Sequence, residues 1–570
     1  MLATKNTKGT KEMRDRTREN GRRVLRLAIS LCILHFSSYG FAATPAEMID
    51  AIYKPGQNPQ GSNPAPIKMD VSGEPWAKMP QEDFLPCFDR YGQFKWRDWP
   101  GKTKTDGDLK RAAAEEADNL AAHPGPTDWN RFGGWTGGPQ LKATGRFRTE
   151  KVDGKWWLVD PDGRLFWSFG PVRVSTGCGI TPLDVGAQPW RRRMFDSLPS
   201  GDGPLGRFRI VRETASGKPD MFNFSAANLF RKYGEGWFDA FADRAHRRLR
   251  SWGMNTVANA SDDRICRMDR TPYAVRIMLQ SRPIEASAGL WNKFCDPFDP
   301  SFSEWLRAAL AKYDFALHDP WCIGFFIDNE ILWGKKCEDL ALWVLSCPDG
   351  QPAKVEFLRR LAAKGVKFDK GDLSSVPQGE LRAFTAAIIE KYFAKVRREI
   401  KAADPDLLYL GCRFAGFSRP PWAVKIAARY CDVMSFNVYR DDLVGWTPGA
   451  GIDAPILVGE FHFGAHDRGL FGSGQRNALT QKGRAAAIRR YVGSALVHPL
   501  VVGVHWHQYS DQATSGRFDG EHFQVGLTDV CDRPYPETIR AVRDVGYGLY
   551  GKRFSAAKNA ESAKRKGDGR

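Results

Sequence analysis

"CIGFFIDNE" occupies residues 322–330. A run without a polar side chain, Cys322 to Ile327, ends abruptly in Asp328, Asn329 and Glu330, and apolar residues resume at Ile331. An apolar run of this length, bounded by polar residues, reads as a strand buried on both faces. Acids at the end of such a strand are costly to desolvate. The stretch therefore bears on both the fold and the chemistry.

Seven further runs share its character: 165–172, 254–259, 274–280, 407–414, 432–439, 455–461 and 501–509. Amphipathic segments lie between most of them, such as "FDAFADRAHRRLRSWG" (238–253), "GELRAFTAAIIEKYFAKVRREIKAAD" (379–404) and "KGRAAAIRRYVGSALVH" (482–498). Buried strands alternating with helices imply a parallel sheet, and eight is the number that closes an α/β (β/α)8 TIM barrel. An open doubly wound sheet is the competitor, but the chain has no GxGxxG or GxxxxGK[ST] phosphate loop.

Upstream, residues 44–125 lack strong periodicity apart from the helix-like "DLKRAAAEEADNLAA" (108–122). Residues 145–170, "GRFRTEKVDGKWWLVDPDGRLFWSFG", place Asp-Gly turns between three strand-like runs, a strong hairpin signal. The expected organisation is a signal peptide over 1–42, an N-terminal extension or small β-rich accessory region over 43–150, a catalytic barrel over 151–550, and a basic disordered tail over 551–570.

The formal charge of +18 is concentrated at the ends. Residues 1–26 and 552–570 contribute 11 of those charges, which leaves the body with the balance of an ordinary surface. No zinc-finger, basic-zipper or RNA-binding signature is present, so a nucleic-acid partner is not expected. A basic lead-in to Arg26, an apolar run from Leu27 to Phe36 and small residues around Ala42 read as a secretory signal, with an uncleaved anchor as the alternative. Met13 is an alternative start. The mature protein is expected to be secreted or periplasmic, with no stable membrane insertion. Cleavage after Ala42 leaves ten of 11 cysteines, with no CxxC pair. Cys337 and Cys347 are close enough in sequence to close a loop, whereas Cys322 and Cys412 read as buried thiols.

The strand ends collect polar and aromatic groups: Asn259, Gln280, Asp328 with Asn329 and Glu330, Arg413, Asn437 with Tyr439, Glu460 with His462, and His505 to Gln508. Such ends meet on one face of a barrel, where sites are built. Taken singly, an acid at a strand end is more often a helix cap or a structural hydrogen bond than part of a site. Glu330 and Glu460, on the fourth and seventh strands, can face one another across the mouth. Two carboxyls flanking a glycosidic bond are what glycoside hydrolysis requires, at roughly 5–5.5 Å for retention and wider for inversion. The apolar frame of Glu330 suits a protonated acid, and Tyr439 and His462 suit an ionised Glu460.

Asn-Glu after strand four, Glu at the end of strand seven and an aromatic at the end of strand eight resemble clan A glycoside hydrolases. More specifically, residues 151–170, 459–471 and 503–527 resemble family 50 β-agarases. The resemblance spans roughly residues 125–550 and implies a retaining mechanism on β-galactosidic bonds of agarose-type galactans. It makes Glu330 the acid/base, Glu460 the nucleophile, Asn329 the contact to the sugar 2-hydroxyl and Trp506 a sugar-contacting aromatic. Expected substrate contacts are completed by Asn259, Asn437, Tyr439, His462, His505, Gln508 and Asp511. Asp511, with Arg517, Asp519 and Glu521, could equally hold its loop closed. Residues 44–125 are shorter than the carbohydrate-binding-like domain typical of that family.

Other readings stay open: a β-galactosidase, a hydrolase of another, sulfated galactan, a metal-dependent barrel hydrolase built on His462, His466, His505 and His507 with Asp467, or a non-catalytic carbohydrate-binding protein. No cofactor and no metal is expected. The 19 tryptophans fit either a sugar cleft or an aromatic core. Trp333 is balanced between those two uses. The insertion at 175–235 and the "FGSG" at 471–474 are candidate lids.

Overall fold

The computed structural model describes residues 43–52, 67–185, 188–199, 201–211 and 220–555. The signal-like segment lies outside them. Sixteen strands are labelled in chain order: β1 (Ile67–Lys68), β2 (Arg148–Val152), β3 (Lys155–Val159), β4 (Leu165–Phe166), β5 (Ser168–Pro171), β6 (Ile180–Pro182), β7 (Arg209–Val211) and β8 (Asp220–Asn223). They continue with β9 (Tyr273–Ile277), β10 (Cys322–Ile327), β11 (Leu408–Tyr409), β12 (Phe414–Ala415), β13 (Met434–Asn437), β14 (Ile456–Phe461), β15 (Gly472–Gly474) and β16 (Val501–Trp506).

The fold is mixed α/β. Strands β9, β10 and β11 pair in parallel, as do β12, β13, β14, β16 and β5 in that order. One continuous run, 408–415, supplies both β11 and β12. It is interrupted where Gly411 and Arg413 adopt positive φ of 79° and 54°. Residues 254–259, expected as a strand, form only a single parallel bridge, between Val257 and Tyr273. The Asn255 and Ala258 amides reach Phe169 O and Pro171 O of β5. The Asn255 side chain accepts the Phe169 amide at 2.9 Å, taking the place of a ladder carbonyl.

The hairpins upstream form as expected. β2, β3 and β4 make an antiparallel sheet, with Asp153 and Gly154 both at positive φ in the first turn. Helices cover the parallel strands through apolar stripes at 3.6 spacing. In Gln378–Ala403 the stripe is Leu381, Phe384, Ile388, Tyr392, Val396 and Ile400, all buried. Phe384 stacks on Phe357 of the helix Pro352–Ala363 at 4.0 Å.

Described residues between 43 and 109 pack as a second apolar cluster against described residues between 183 and 230 and Phe471 after β14. Phe94 meets Phe471 edge-on at 4.9 Å, and β1 pairs antiparallel with β15. Two expectations change here, for the "FGSG" segment and for the carboxy-terminal tail. The "FGSG" segment is a buried strand with its partner, not a free lid, because Gly464 and Gly472 let backbone and His522 approach closely. The described residues of the insertion at 175–235 include the sheet β6–β8–β7 and a helix, Phe224–Tyr233. The tail expected to be disordered from 551 is helical through 555. Arg553 is buried there, bonded to Leu496 O and Trp156 O and lying over Trp157. Cys337 and Cys347 are free thiols, as are Cys322 and Cys412, which are buried.

A buried ionic cluster ties the extension to the main body. Arg248, fully buried, donates to Glu116 of the helix Asp106–Ala122, to Asp532 and to the Tyr509 hydroxyl, and Lys232 shares Asp532. Removing one partner leaves the others charged in a low dielectric. Arg248→Ala is therefore expected to lower the unfolding free energy by about 3–5 kcal/mol, read from urea denaturation.

Candidate active site

The strand ends converge on a cavity of about 850 Å³. Of the residues expected there, Asn259, Asn329, Glu330, Asn437, Tyr439, Glu460 and His462 line it. The segment 328–330 divides its labour. Asp328 turns inward, accepting the Leu279 amide at 2.8 Å and the Tyr392 hydroxyl at 2.7 Å, so it ties β10 to its neighbours. Asp328 and Glu330 both take positive φ, 67° and 54°, which swings the Glu330 side chain into the cavity.

One amide links the two glutamates. Asn437 Nδ2 donates to Glu330 Oε1 at 2.9 Å and to Glu460 Oε2 at 3.3 Å, and it reaches Asn329 Oδ1 at 3.3 Å. With contacts this short from a single atom, the nearest oxygens of the pair lie inside the ~6.5 Å at which the spacing of inverting enzymes begins. Glu460 also accepts the Tyr439 hydroxyl at 2.7 Å and forms a short ion pair with the buried guanidinium of Arg413. Arg413 Nη2 donates to Gly459 O, and its Nε donates to Asn437 Oδ1.

These surroundings separate the two carboxyls electrically. Burial, and then the charge of Glu460, push Glu330 up to about 7 against the hydrogen bonds from Asn437 and Trp291. Burial would also raise Glu460, but Arg413 above all, with the Tyr439 hydroxyl and Arg276, holds it down at about 2. Between these values one carboxyl is protonated and the other ionised, the division of labour that acid–nucleophile pairs need.

Four expected contacts are not at the cavity. Trp506 is in the core: its Nε1 donates to Val525 O at 2.8 Å, and its ring meets Phe461 edge-on. Side chains alternate along β16 and its continuation, and the residue delivered to the cavity is His507. His505 is buried against Phe326, with its Nε2 2.9 Å from Ser168 Oγ. Gln508 is buried and bonds Ser510 O. Asp511 accepts from the Tyr535 hydroxyl and the Gly526 amide, so it closes its loop. Arg517 pairs with Asp519 and Glu521 in that loop while Arg517, Phe518 and Glu521 line the cavity. Trp333 is fully buried among Phe393 and Phe414.

Sequence reasoning missed Arg173, Arg276, Trp291 and Arg476 as lining residues. Arg276 was detectable as a charge inside the apolar run "AVRIMLQ", and Trp291 as a tryptophan in the loop "SAGLWNKF". Several polar atoms at the cavity lack a protein partner: Arg173 Nε, Asn259 Oδ1, His462 Nδ1 and His507 Nδ1. His462 Nε2 accepts the Gln475 amide at 2.8 Å, which leaves Nδ1 as the protonated donor. Donors and acceptors of this kind suit a hydroxyl-rich ligand. No group of three or more His, Cys, Asp or Glu among the described residues is arranged to hold a metal.

No protein-family model matches the chain. It is 35% identical to β-agarase B of Vibrio sp. (strain JT0107), over 82% of this chain and 55% of that protein. It superposes on an exo-β-agarase with a TM-score of 0.77 at 30% identity, covering 83% of this chain and 74% of the other. The same TM-score and identity hold for PfGH50B, over 84% and 76%. With its strand-end carboxyl pair, the chain is of the glycoside hydrolase class, and it belongs to family 50, the family of these agarases. It spans about half the length of the curated relatives it matches.

The raised Glu330 carboxyl has a stability signature. Its ordinary value is 4.5 and its folded value about 7, so the folded state loses stability as pH rises through that window. Glu330→Gln removes the ionisation. The melting temperature of the variant relative to wild type is expected to rise between pH 4.5 and 7 and then level off, as followed by scanning fluorimetry.

Proposed function

We propose that this chain is a retaining glycoside hydrolase of the clan A type that cleaves β-galactosidic bonds in agarose-type galactans. The observation that carries the mechanism is the pair Glu330 and Glu460, joined by one Asn437 amide and pushed apart to about 7 and about 2. Ionised Glu460 attacks the anomeric carbon while protonated Glu330 gives its proton to the departing oxygen. Glu330, now a base, then takes a proton from the water that releases the sugar. Asn329 contacts the 2-hydroxyl, and Asn259, Tyr439 and His462 bind other hydroxyls. The substrate follows from the β-agarase relatives.

The barrel reading is supported by the chain of parallel pairings from β5 through 254–258 to β9, β10 and the shared run 408–415, and on through β13, β14 and β16 back to β5. In this reading 151–550 is the catalytic unit and 43–150 the accessory region. Secretion or periplasmic export suits a polymeric substrate. Among the described residues no helix is long and apolar enough to cross a membrane.

A second reading, a sulfated galactan, is favoured by Arg173 and Arg276. Both line the cavity, and neither has a carboxylate at ion-pair distance among the described residues. Guanidinium forks match sulfate geometry.

Glu330→Gln and Glu460→Gln are each expected to lower kcat by at least the ~10²–10⁴-fold that a general acid supplies. Azide is expected to rescue Glu460→Gly with an α-glycosyl azide as product. Losses below about tenfold in both variants would sink the pairing. Relative turnover on agaro-oligosaccharides, porphyran oligosaccharides and lactose separates the substrate readings. Cleavage of lactose alone would remove the agarose assignment and leave the two-carboxyl mechanism standing.

A further inference from the structure

Trp291 differs from the other tryptophans of the chain. Its side chain is 49% exposed and lines the cavity, and it makes no ring contact with another aromatic among the described residues. Trp96, the other strongly exposed one, is anchored on Phe84 through its Nε1 and its ring. What sets this indole apart is not exposure alone but its place, on the cavity wall within hydrogen-bond reach of Glu330.

Its placement is built. Trp291 stands at the tip of a loop whose base is closed by the Ile284 amide to Phe294 O and by the bridge between Pro283 and Cys295. Ser287 Oγ accepts the Phe294 amide at 3.0 Å. Gly289 lets the chain turn back on itself, since a Cβ there would lie 1.9 Å from Asn292 O. From this loop the indole Nε1 reaches Glu330 Oε2 at 3.1 Å.

That contact fixes which side of the substrate the ring serves. A general acid works within hydrogen-bond reach of the glycosidic oxygen, so a ring bonded to Glu330 lies beside the departing sugar. Glu460, which reacts at the anomeric carbon, is bonded instead to Tyr439, Asn437 and Arg413. Pyranose rings present a C–H face that stacks on an indole, and Phe518, 74% exposed, lines the same cavity.

We propose that Trp291 is the platform for the leaving-group sugar and the positioning residue that aims the Glu330 carboxyl at the glycosidic oxygen. This rests on Glu330 being the general acid. The indole N–H holds one carboxyl oxygen while Asn437 holds the other, so the group cannot rotate away when the sugar binds. The charged and titratable groups around Glu330 are Glu460 from β14, Arg413 between β11 and β12, Arg276 from β9, and Tyr439. None of them is altered by changing Trp291.

The test compares Trp291→Phe, which keeps a ring and loses the donor, with Trp291→Ala, which loses both. On agaro-oligosaccharides, Trp291→Phe is expected to lower kcat about tenfold, the upper end of what one neutral hydrogen bond contributes, with KM within about twofold of wild type. Its alkaline activity limb is expected to move to higher pH, because the lost N–H favoured the ionised carboxylate. Trp291→Ala is expected to show the same limb and, in addition, a KM raised about fivefold or more. Matching melting curves establish that the fold is kept. A Trp291→Phe variant with wild-type kcat and limb, or a Trp291→Ala variant with wild-type KM, overturns the proposal. Glu330→Gln is run in parallel. If it is inactive while the Trp291 variants behave as wild type, only the present inference falls. If it stays active, the acid assignment falls as well.

Discussion

The guanidinium of Arg413 sets the electrical order of the site. It is fully buried, and its ionic partner is Glu460, so the nucleophile candidate stays charged in a medium that would otherwise protonate it. The same side chain donates through Nε to Asn437 Oδ1, which obliges the Asn437 amide nitrogen to face the carboxylates. One residue thus decides the charge of Glu460 and the orientation of the group that bridges to Glu330. The negative charge it preserves on Glu460 is in turn part of what keeps Glu330 protonated. The backbone at Arg413 takes a positive φ, a local strain carried by the surrounding strands.

Much of this was legible in the sequence, and the rest was not for identifiable reasons. Seven of the eight apolar runs carry strands because burial on both faces leaves an unbroken apolar signature. The run 254–259 misled because an asparagine side chain replaces a ladder bond, which no periodicity reports. Glu330, Asn437 and Glu460 stood out as polar groups ending apolar runs. Trp506 was misplaced because the phase of alternation through "VHWHQY" depends on which side of β16 faces inward, and that is set by β14 and β5 beside it. Trp291 lies in a loop, where no periodicity marks a side chain as aimed.

The segment upstream of the hairpins is more than a lead-in. It has its own aromatic cluster, and it supplies a strand to the loop that follows β14. Ile67 thereby becomes part of the cavity wall. Arg97 reinforces the attachment by donating to His466 O at 3.1 Å. A ligand in the cavity would meet a wall contributed by Ile67 of β1 as well as by the strand-end loops.

The pairing of Ile67 with Gly474 also has a kinetic side. Its two strands are separated by most of the polypeptide, so it is a contact of high sequence separation, the kind that slows folding. On the ribosome, Ile67 emerges long before its partner Gly474. The order of synthesis therefore leaves this edge of the cavity wall, and the contact of the amino-terminal aromatic cluster with Phe471, unmade until the chain through Gly474 has been produced.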